Sequence, residues 1–332
     1  MKVAVIGTGS MGQNHVRLYS DIKDCVLVGI ADANSEQTKR LCSLYGGRAY
    51  SDYRELIEKE KPDAVTIALP TALHKQATMD CLEAGIHVLV EKPIAKTVAE
   101  AKEMIAKAKQ VGKVLQVGHI ERFNPAIQQL KQRLADNQLG KIFTIHSRRQ
   151  SSYPGRITDV GVASDLATHE LDMMRYISGS EVSTMTAEVS KVMNTQNEDI
   201  VFGLLRFQNG ILGILDVNWV TPTKIREIAI TGENGMFTVD YLNQNISLHS
   251  NYAAEQNETK SEWFTTKFGV AEGDFTSFRV EKKEPLRVEI EAFLKCCNDN
   301  GTPLVTGEDG LESLSLALQI VDCGCSSSKC KR

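Results

Sequence analysis

Gly7-Thr8-Gly9-Ser10-Met11-Gly12 stands between the apolar run Lys2-Val3-Ala4-Val5-Ile6 and a helical pattern from about Met11 to Tyr19. A buried strand, Gly-x-Gly-x-x-Gly and a helix, in that order, form a dinucleotide-binding fingerprint. Gly7 allows the tight turn, Gly9 lets the backbone approach a pyrophosphate, and Gly12 lets the helix pack close to the strand. The helix start offers free N–H groups and a positive dipole end to phosphates, so Thr8, Ser10 and Met11 join the glycines as expected contacts. The spacing alone is a weak signal, and Asp32 strengthens it. Asp32 ends a second apolar run, Val26-Leu27-Val28-Gly29-Ile30-Ala31. An acid there accepts hydrogen bonds from the adenosine ribose and repels a 2′-phosphate, which favours NAD over NADP. Lys39 and Arg40 remain candidates to reach the ribose edge, and a helix cap is the other reading of Asp32.

The chain has 332 residues, 42% hydrophobic and 24% charged, with a formal net charge of −4. That length suits two domains, and that composition an ordinary globular protein. The charges form no long run, so nothing points to nucleic acid or a membrane surface. No apolar run has the length of a membrane span, and the first strand begins too early for a signal peptide. Most of Cys25, Cys42, Cys81, Cys296 and Cys297 fall within apolar or helical patterns, as free thiols in a reducing cytoplasm do. The tail thiols Cys323, Cys325 and Cys330 are too few for a structural zinc site, so no metal is expected.

Strand and helix patterns alternate to about residue 120, predicting a parallel sheet with helices on both faces. Helices are expected over 36–45, over 72–84 and, capped by Thr97, over 98–111. Ligands in such sheets lie outside the carboxyl ends of strands. The strand 64–69 ends at Leu69-Pro70-Thr71-Ala72-Leu73-His74, so Leu69, Thr71 and His74 should face the cofactor, though a helix cap explains His74 equally well. The strand 86–90 delivers Glu91-Lys92-Pro93. A partly desolvated lysine there can polarise or deprotonate a substrate hydroxyl. The last parallel strand ends in His119-Ile120-Glu121-Arg122-Phe123-Asn124-Pro125, and Glu91 and Arg122 complete the expected cofactor contacts. A helix over about 125–137 then leaves the domain.

These motifs at these separations resemble the Gfo/Idh/MocA oxidoreductases. The likeness implies an N-terminal α/β domain, a Rossmann doubly wound parallel sheet, over residues 1–121. It also implies a C-terminal α+β substrate domain, with a large and mainly antiparallel open sheet, over 122–325, and a short tail from 326. The resemblance makes Lys92 a catalytic or substrate-binding residue. It places the family's histidine in Asp165-Leu166-Ala167-Thr168-His169, at a predicted helix over about 164–176. On that helix Asp165, His169 and Asp172 share a face, and Asp165 can orient His169 as a base. A core or capping histidine, and a surface ion pair for Asp172, are the plainer readings.

Beyond residue 140 the pattern turns to alternation. It predicts strands over 142–149, 182–192, 200–207, 211–220, 225–231, 235–240 and 246–248, and closing helices over 285–298 and 308–322. Sheet-face residues such as Ile214, Val217 and Trp219 suit a subunit interface or an internal core. The resemblance implies a homodimer or homotetramer through this sheet. The stretch Arg148-Arg149-Gln150-Ser151-Ser152-Tyr153-Pro154-Gly155-Arg156 reads as a loop. Arg149, Arg156 and Tyr153 would there hold the phosphates and base of a nucleotide sugar, and on composition alone a solvated basic loop on an acidic protein is the equal reading. A closer likeness, in 117–127 and 151–177, is to the nucleotide-sugar 3-dehydrogenase branch of the family. It implies NAD-dependent oxidation of the C3 hydroxyl of UDP-N-acetylglucosamine, or a related N-acetylhexosamine, to a 3-keto sugar. A polyol dehydrogenase acting on inositol, or an NAD(H)-sensing regulator without turnover, are the alternatives.

Overall fold

The structure, a computed structural model, describes residues 1–154, 160–193, 196–251 and 273–327, with 325–327 described by backbone alone. By internal contacts the chain divides into two units, Met1–Phe123 with Lys283–Gln319, and Asn124–Lys282 with Ile320–Arg332.

The first unit is built on six strands: β1 (Lys2–Ile6), β2 (Val26–Ala31), β3 (Arg48–Tyr50), β4 (Ala64–Ile67), β5 (His87–Glu91) and β6 (Leu115–Gly118). Their order is β3-β2-β1-β4-β5-β6 and every pair is parallel. Alternation along β1 sends Ala4 and Ile6 to one core, and Val3 and Val5 to the other. The first core is closed by α3 (Tyr53–Glu60), α4 (His74–Glu83) and α5 (Val98–Val111), through Leu56, Leu82 and Met104. The second is closed by α1 (Ser10–Asp21) and α2 (Ser35–Tyr45), through Val16, Tyr19 and Leu41. Caps fall where the sequence places them: Asn34 and Asp52 each accept a backbone N–H, and Thr97 forms a reciprocal capping box with Glu100.

Three features depart from the expected outline. The short edge strand β3 has only Arg-Ala-Tyr to announce it. The helix expected from residue 72 is a 3-10 turn over Thr71–Leu73, followed by α4 from His74. The largest difference is at the closing helices, expected in the second domain. The helix over Pro285–Asp299 lays Leu286, Ile290 and Phe293 into the second core of the first unit, beside Val16 and Tyr19. Burying a side chain of this size stabilises by roughly 1.5–3 kcal/mol, so this stripe is a structural part of the nucleotide-type unit.

The second unit carries β7 (Ile142–Gln150), β8 (Val182–Ser190), β9 (Ile200–Phe207), β10 (Leu212–Asn218), β11 (Ile225–Gly232), β12 (Gly235–Asp240), β13 (Asn245–Ser250) and β14 (Phe275–Phe278). The order is β14-β13-β12-β11-β7-β10-β9-β8, antiparallel except for the parallel pair β7–β10. The helices α6 (Pro125–Ala135) and α7 (Thr168–Ser178) pack on this sheet. Alternation resolves the sheet-face residues. Gly213 faces Met174 of α7, and Val217 and Trp219 are buried, whereas Ile214 is exposed on the opposite side. Phe202, Leu204 and Leu212 are exposed too; in register, Leu204 stands opposite Ile214. Among the described residues no helix is long and apolar enough to cross a membrane, and no group of His, Cys, Asp and Glu is placed to hold a metal. Cys323 is half-buried, while Cys330 and the Cys325 side chain lie outside the described residues.

Candidate functional site

The glycine loop has the shape its spacing predicts. Gly7 sits at φ +101°, and a Cβ there would lie 2.4 Å from the Ala68 carbonyl oxygen. A Cβ on Gly12 would lie 2.0 Å from the Gly7 oxygen. Gly9 differs: nothing lies within 4 Å of its would-be Cβ, so its bareness leaves open space over the helix start. No side chain caps α1, and its first turn contains no acidic residue. Its first N–H groups therefore point toward that space, as an anion site requires. Ser10 is exposed and Met11 half-buried beside them. Asp32 ties this loop to the end of β2: one carboxylate oxygen accepts the Thr8 N–H at 2.6 Å, the other the Asn34 N–H at 2.8 Å. Each oxygen keeps a lone pair for a hydroxyl donor. Beside it lies a concavity of about 350 Å³, lined by Ile6, Asp32, Tyr53, Arg54, Leu69 and Leu73, among others. These features fit an adenine dinucleotide.

The concavity includes Arg54 and leaves out Lys39 and Arg40, the cations expected near a ribose edge. Arg54 lies 4.9 Å over the Tyr53 ring and donates to Asp80. Little in the sequence marks Arg54, because it follows the edge strand that lacks an apolar run.

At the ends of β4 and β5 the residues assume distinct parts. Leu69 and Thr71 are half-buried, whereas the His74 ring is buried. Its Nδ1 lies 2.9 Å from the Pro93 carbonyl oxygen and its Nε2 2.8 Å from that of Leu69. Burial lowers its proton affinity against the pull of those two carbonyls. His74 therefore ties the end of β4 to the Lys92-Pro93 segment, whose peptide bond is cis, and its side chain caps no helix. Lys92 is half-buried one residue past β5. Glu91 is buried and hydrogen-bonded to His15 at 3.0 Å. Burial pushes its carboxyl up, but His15, with Lys92 and His74, holds it below the usual carboxylate range. Arg122 is buried and donates to the Leu304 carbonyl and to Asp309. Those bonds anchor the returning segment, a structural duty that its place in the sequence does not reveal.

In the second unit, Asp165 lies in a π-type turn over Ala163–Ala167, where an ordinary helix was expected, and His169 follows in the first turn of α7. Glu198 shapes this turn. Its carboxylate accepts the Ala163 N–H at 3.1 Å, and its backbone oxygen accepts that of Val162. A Cβ on Gly161 would lie 2.0 Å from that carboxylate. Thr168 Oγ1 reaches the carbonyls of both Ala163 and Ser164, and the first of these also accepts the Thr168 N–H across the wide turn. Asp165 is half-buried, His169 is 9% exposed, and Asp172 is buried.

Next to His169, Glu170 is completely buried and takes hydrogen bonds from Ser147 and from Arg149. This corrects the arginine loop. Residues 148–150 belong to β7, and alternation sends Arg148 and Arg149 to opposite faces. Arg148 pairs with Glu227 at 3.2 Å, lining the exposed concave face of the sheet. Arg149 is 2% exposed and pairs with Glu170 inside. It is a core residue, not one presented to a phosphate. Tyr153 packs edge-on against Trp219 at 5.9 Å, and Arg156 lies outside the described residues.

Comparison with known proteins agrees with this geometry. Residues 1–119 match the oxidoreductase family with an NAD-binding Rossmann fold, and residues 127–238 match the GFO/IDH/MocA C-terminal domain. The chain is 28% identical over 320 residues to the UDP-N-acetylglucosamine 3-dehydrogenase of Acidithiobacillus ferrooxidans, covering 96% of each. A solved structure of that enzyme superposes with a TM-score of 0.84 over 97% of both chains. The myo-inositol 2-dehydrogenase of Thermotoga maritima is 26% identical, over 95% of this chain and 94% of that one. The D-glucoside 3-dehydrogenase of Escherichia coli is 31% identical over 69% of this chain and 73% of that one. The chain belongs to the Gfo/Idh/MocA oxidoreductases and is an NAD-dependent enzyme acting on a CH–OH group.

Proposed function

We propose that the protein oxidises the C3 hydroxyl of UDP-N-acetylglucosamine, or a closely related UDP-linked N-acetylhexosamine, to the 3-keto sugar. The observation that carries this reading is the similarity to the Acidithiobacillus enzyme, which spans both units and covers 96% of each chain. Bound NAD⁺ supplies the hydride acceptor. The first turn of α1 binds the pyrophosphate and Asp32 the adenosine ribose, with Leu69, Thr71 and Glu91 supporting the cofactor side. Lys92 holds the substrate hydroxyl and favours its ionisation. His169, oriented by Asp165, takes the hydroxyl proton, a contribution worth roughly 10²–10⁴-fold. Tyr153 offers a ring for the base or sugar, and Arg156 a guanidinium for the diphosphate.

Oxidation of a polyol is the second reading. The inward-facing Arg149 favours it, since it removes one of the arginines that a diphosphate would use. The inositol dehydrogenase relative, of almost equal span, favours it too. A panel of UDP-N-acetylglucosamine, other nucleotide sugars and inositols, followed by NADH absorbance, separates the two. Nucleotide extracted from the purified protein reveals any cofactor that stays bound and is recycled. NADH formation with the UDP-sugar supports the first reading; turnover of inositol alone replaces it with the second. We further propose that two copies pair through the exposed sheet face of Phe202, Leu204, Leu212 and Ile214.

A further inference from the structure

We propose that His15 is a positioning residue for Lys92. Its hydrogen bond to Glu91 fixes the strand end that carries the lysine to the helix that carries the glycine loop, and Glu289 completes the buried site as a neutral acid. The inference rests on the reading of Lys92 as the residue that handles the hydroxyl.

His15 stands in α1, shortly after Gly12, and is completely buried. Its Nε2 meets the Glu91 carboxylate at 3.0 Å, with side-chain exposures of 0% and 11%. Glu91 directly precedes Lys92. One turn further along α1, the Tyr19 hydroxyl meets Thr66 Oγ1 of β4 at 2.8 Å. Two polar contacts thus join α1 to successive strands of the sheet, through a core otherwise made of Val16, Leu89, Ile290 and Phe293. Apolar packing tolerates small slides of a helix over a sheet; a hydrogen bond has a required length and direction. A polar pair in such a core adds little net stability over well-packed apolar residues of the same volume. What it does add is a fixed position, here between the two motifs that define the nucleotide side of the reaction.

The protonation of the pair follows from its chemistry. The Glu91 carboxylate only accepts, so the His15 Nε2–H is the donor of this bond. His15 Nδ1 and both Glu289 carboxylate oxygens are buried without a hydrogen-bond partner. Glu289 lies on the same stripe of its helix as Leu286, Ile290 and Phe293, the stripe that faces α1. A second carboxylate cannot ionise in this core close to Glu91. Burial first, and the Glu91 charge second, push the Glu289 carboxyl well above its ordinary value.

Replacing His15 by Gln, Asn and Leu tests the proposal. The Gln amide nitrogen reaches the place of Nε2 and keeps the donor, Asn places it near Nδ1, and Leu removes it. We expect His15→Gln to keep kcat within about threefold of wild type. His15→Asn and His15→Leu should lose kcat by about tenfold or more, as sub-ångström misplacement of a reacting group does. The sugar KM and NADH affinity should move by less than about threefold in all of them. Wild-type kcat in the Asn and Leu variants overturns the proposal. So does a loss that follows melting temperature or NADH affinity across the series, the mark of a merely structural role. If His15→Leu fails to fold, the Gln and Asn variants decide alone. Should wild type turn over no sugar or polyol, the function reading fails separately. In that case the NMR signal of ¹³C-methylated Lys92, assigned with Lys92→Ala, still reads the positioning. It should match wild type in His15→Gln and shift or broaden in His15→Asn; identical signals in both variants overturn the proposal.

Discussion

Asp32 shows how one carboxylate serves fold and ligand together. It holds the Thr8 and Asn34 N–H groups and presents its remaining lone pairs beside the adenosine-sized hollow. Hydrogen bonds to a charged group are worth about 1.5–3 kcal/mol each. Asp32→Ala should therefore weaken NADH binding by about tenfold or more in a fluorescence titration, with a smaller loss for NADPH; equal losses would contradict its role at the ribose. Glu289 makes a second prediction, from its raised proton affinity in the folded state. The folded chain holds a proton that the unfolded chain has released once the pH exceeds the ordinary value of 4.5. The stability contributed by that protonated acid is present in full below 4.5 and is lost as pH rises toward the higher folded value. Glu289→Gln cannot lose a proton, so its melting temperature relative to wild type should rise as the pH increases above 4.5. A constant difference would mean that Glu289 is not held protonated. The glycines and Asp32 were legible from their spacing, and Lys92 was marked as a candidate by its place at a strand end. His15 and Glu289 were not, since a histidine or glutamate on a helical stripe does not reveal its partner.

The second unit turns on the pairing of β7 with α7. Arg149 and Glu170 are buried together, with Ser147 on the same carboxylate, one residue from His169. Breaking one side leaves a charge uncompensated, so Arg149→Leu alone should destabilise by about 3–5 kcal/mol in denaturant unfolding. The chain carrying Ser147→Ala, Arg149→Leu and Glu170→Leu together should lie within about 1–2 kcal/mol of wild type, or above it. Single and triple variants of equal stability would rule out a desolvated pair. Here the sequence misled for a physical reason. Three arginines, hydroxyls and an aromatic ring look like a loop by composition, but the strand runs through Arg148 and Arg149 to Gln150, one residue past its expected end. Alternation then separates Arg148 from Arg149. The turn at Asp165 was equally hidden, because the Glu198 carboxylate that shapes it comes from a distant stretch of chain.

Across the whole molecule, the order of strands and helices was readable from period and punctuation, and the destination of the closing helix was not. The stripe Leu286, Ile290, Phe293 announces an amphipathic helix and leaves open which core receives it; only the structure assigns it to the first unit. The row of Leu204 and Ile214 likewise leaves an apolar patch exposed on one sheet face among the described residues. If copies pair there, Leu204→Glu with Ile214→Glu should convert the oligomer to monomer in sedimentation, with secondary structure unchanged; an unaltered sedimentation coefficient would place the interface elsewhere. The proposed reaction is oxidation of a UDP-linked N-acetylhexosamine with Lys92 and His169 in the chemical step. It is tested by the initial rate of NADH formation from UDP-N-acetylglucosamine by wild type, Lys92→Ala and His169→Ala. Wild type should turn over measurably, and each variant should lose about a hundredfold or more with NADH still bound. Near-wild-type rates in both variants would contradict it.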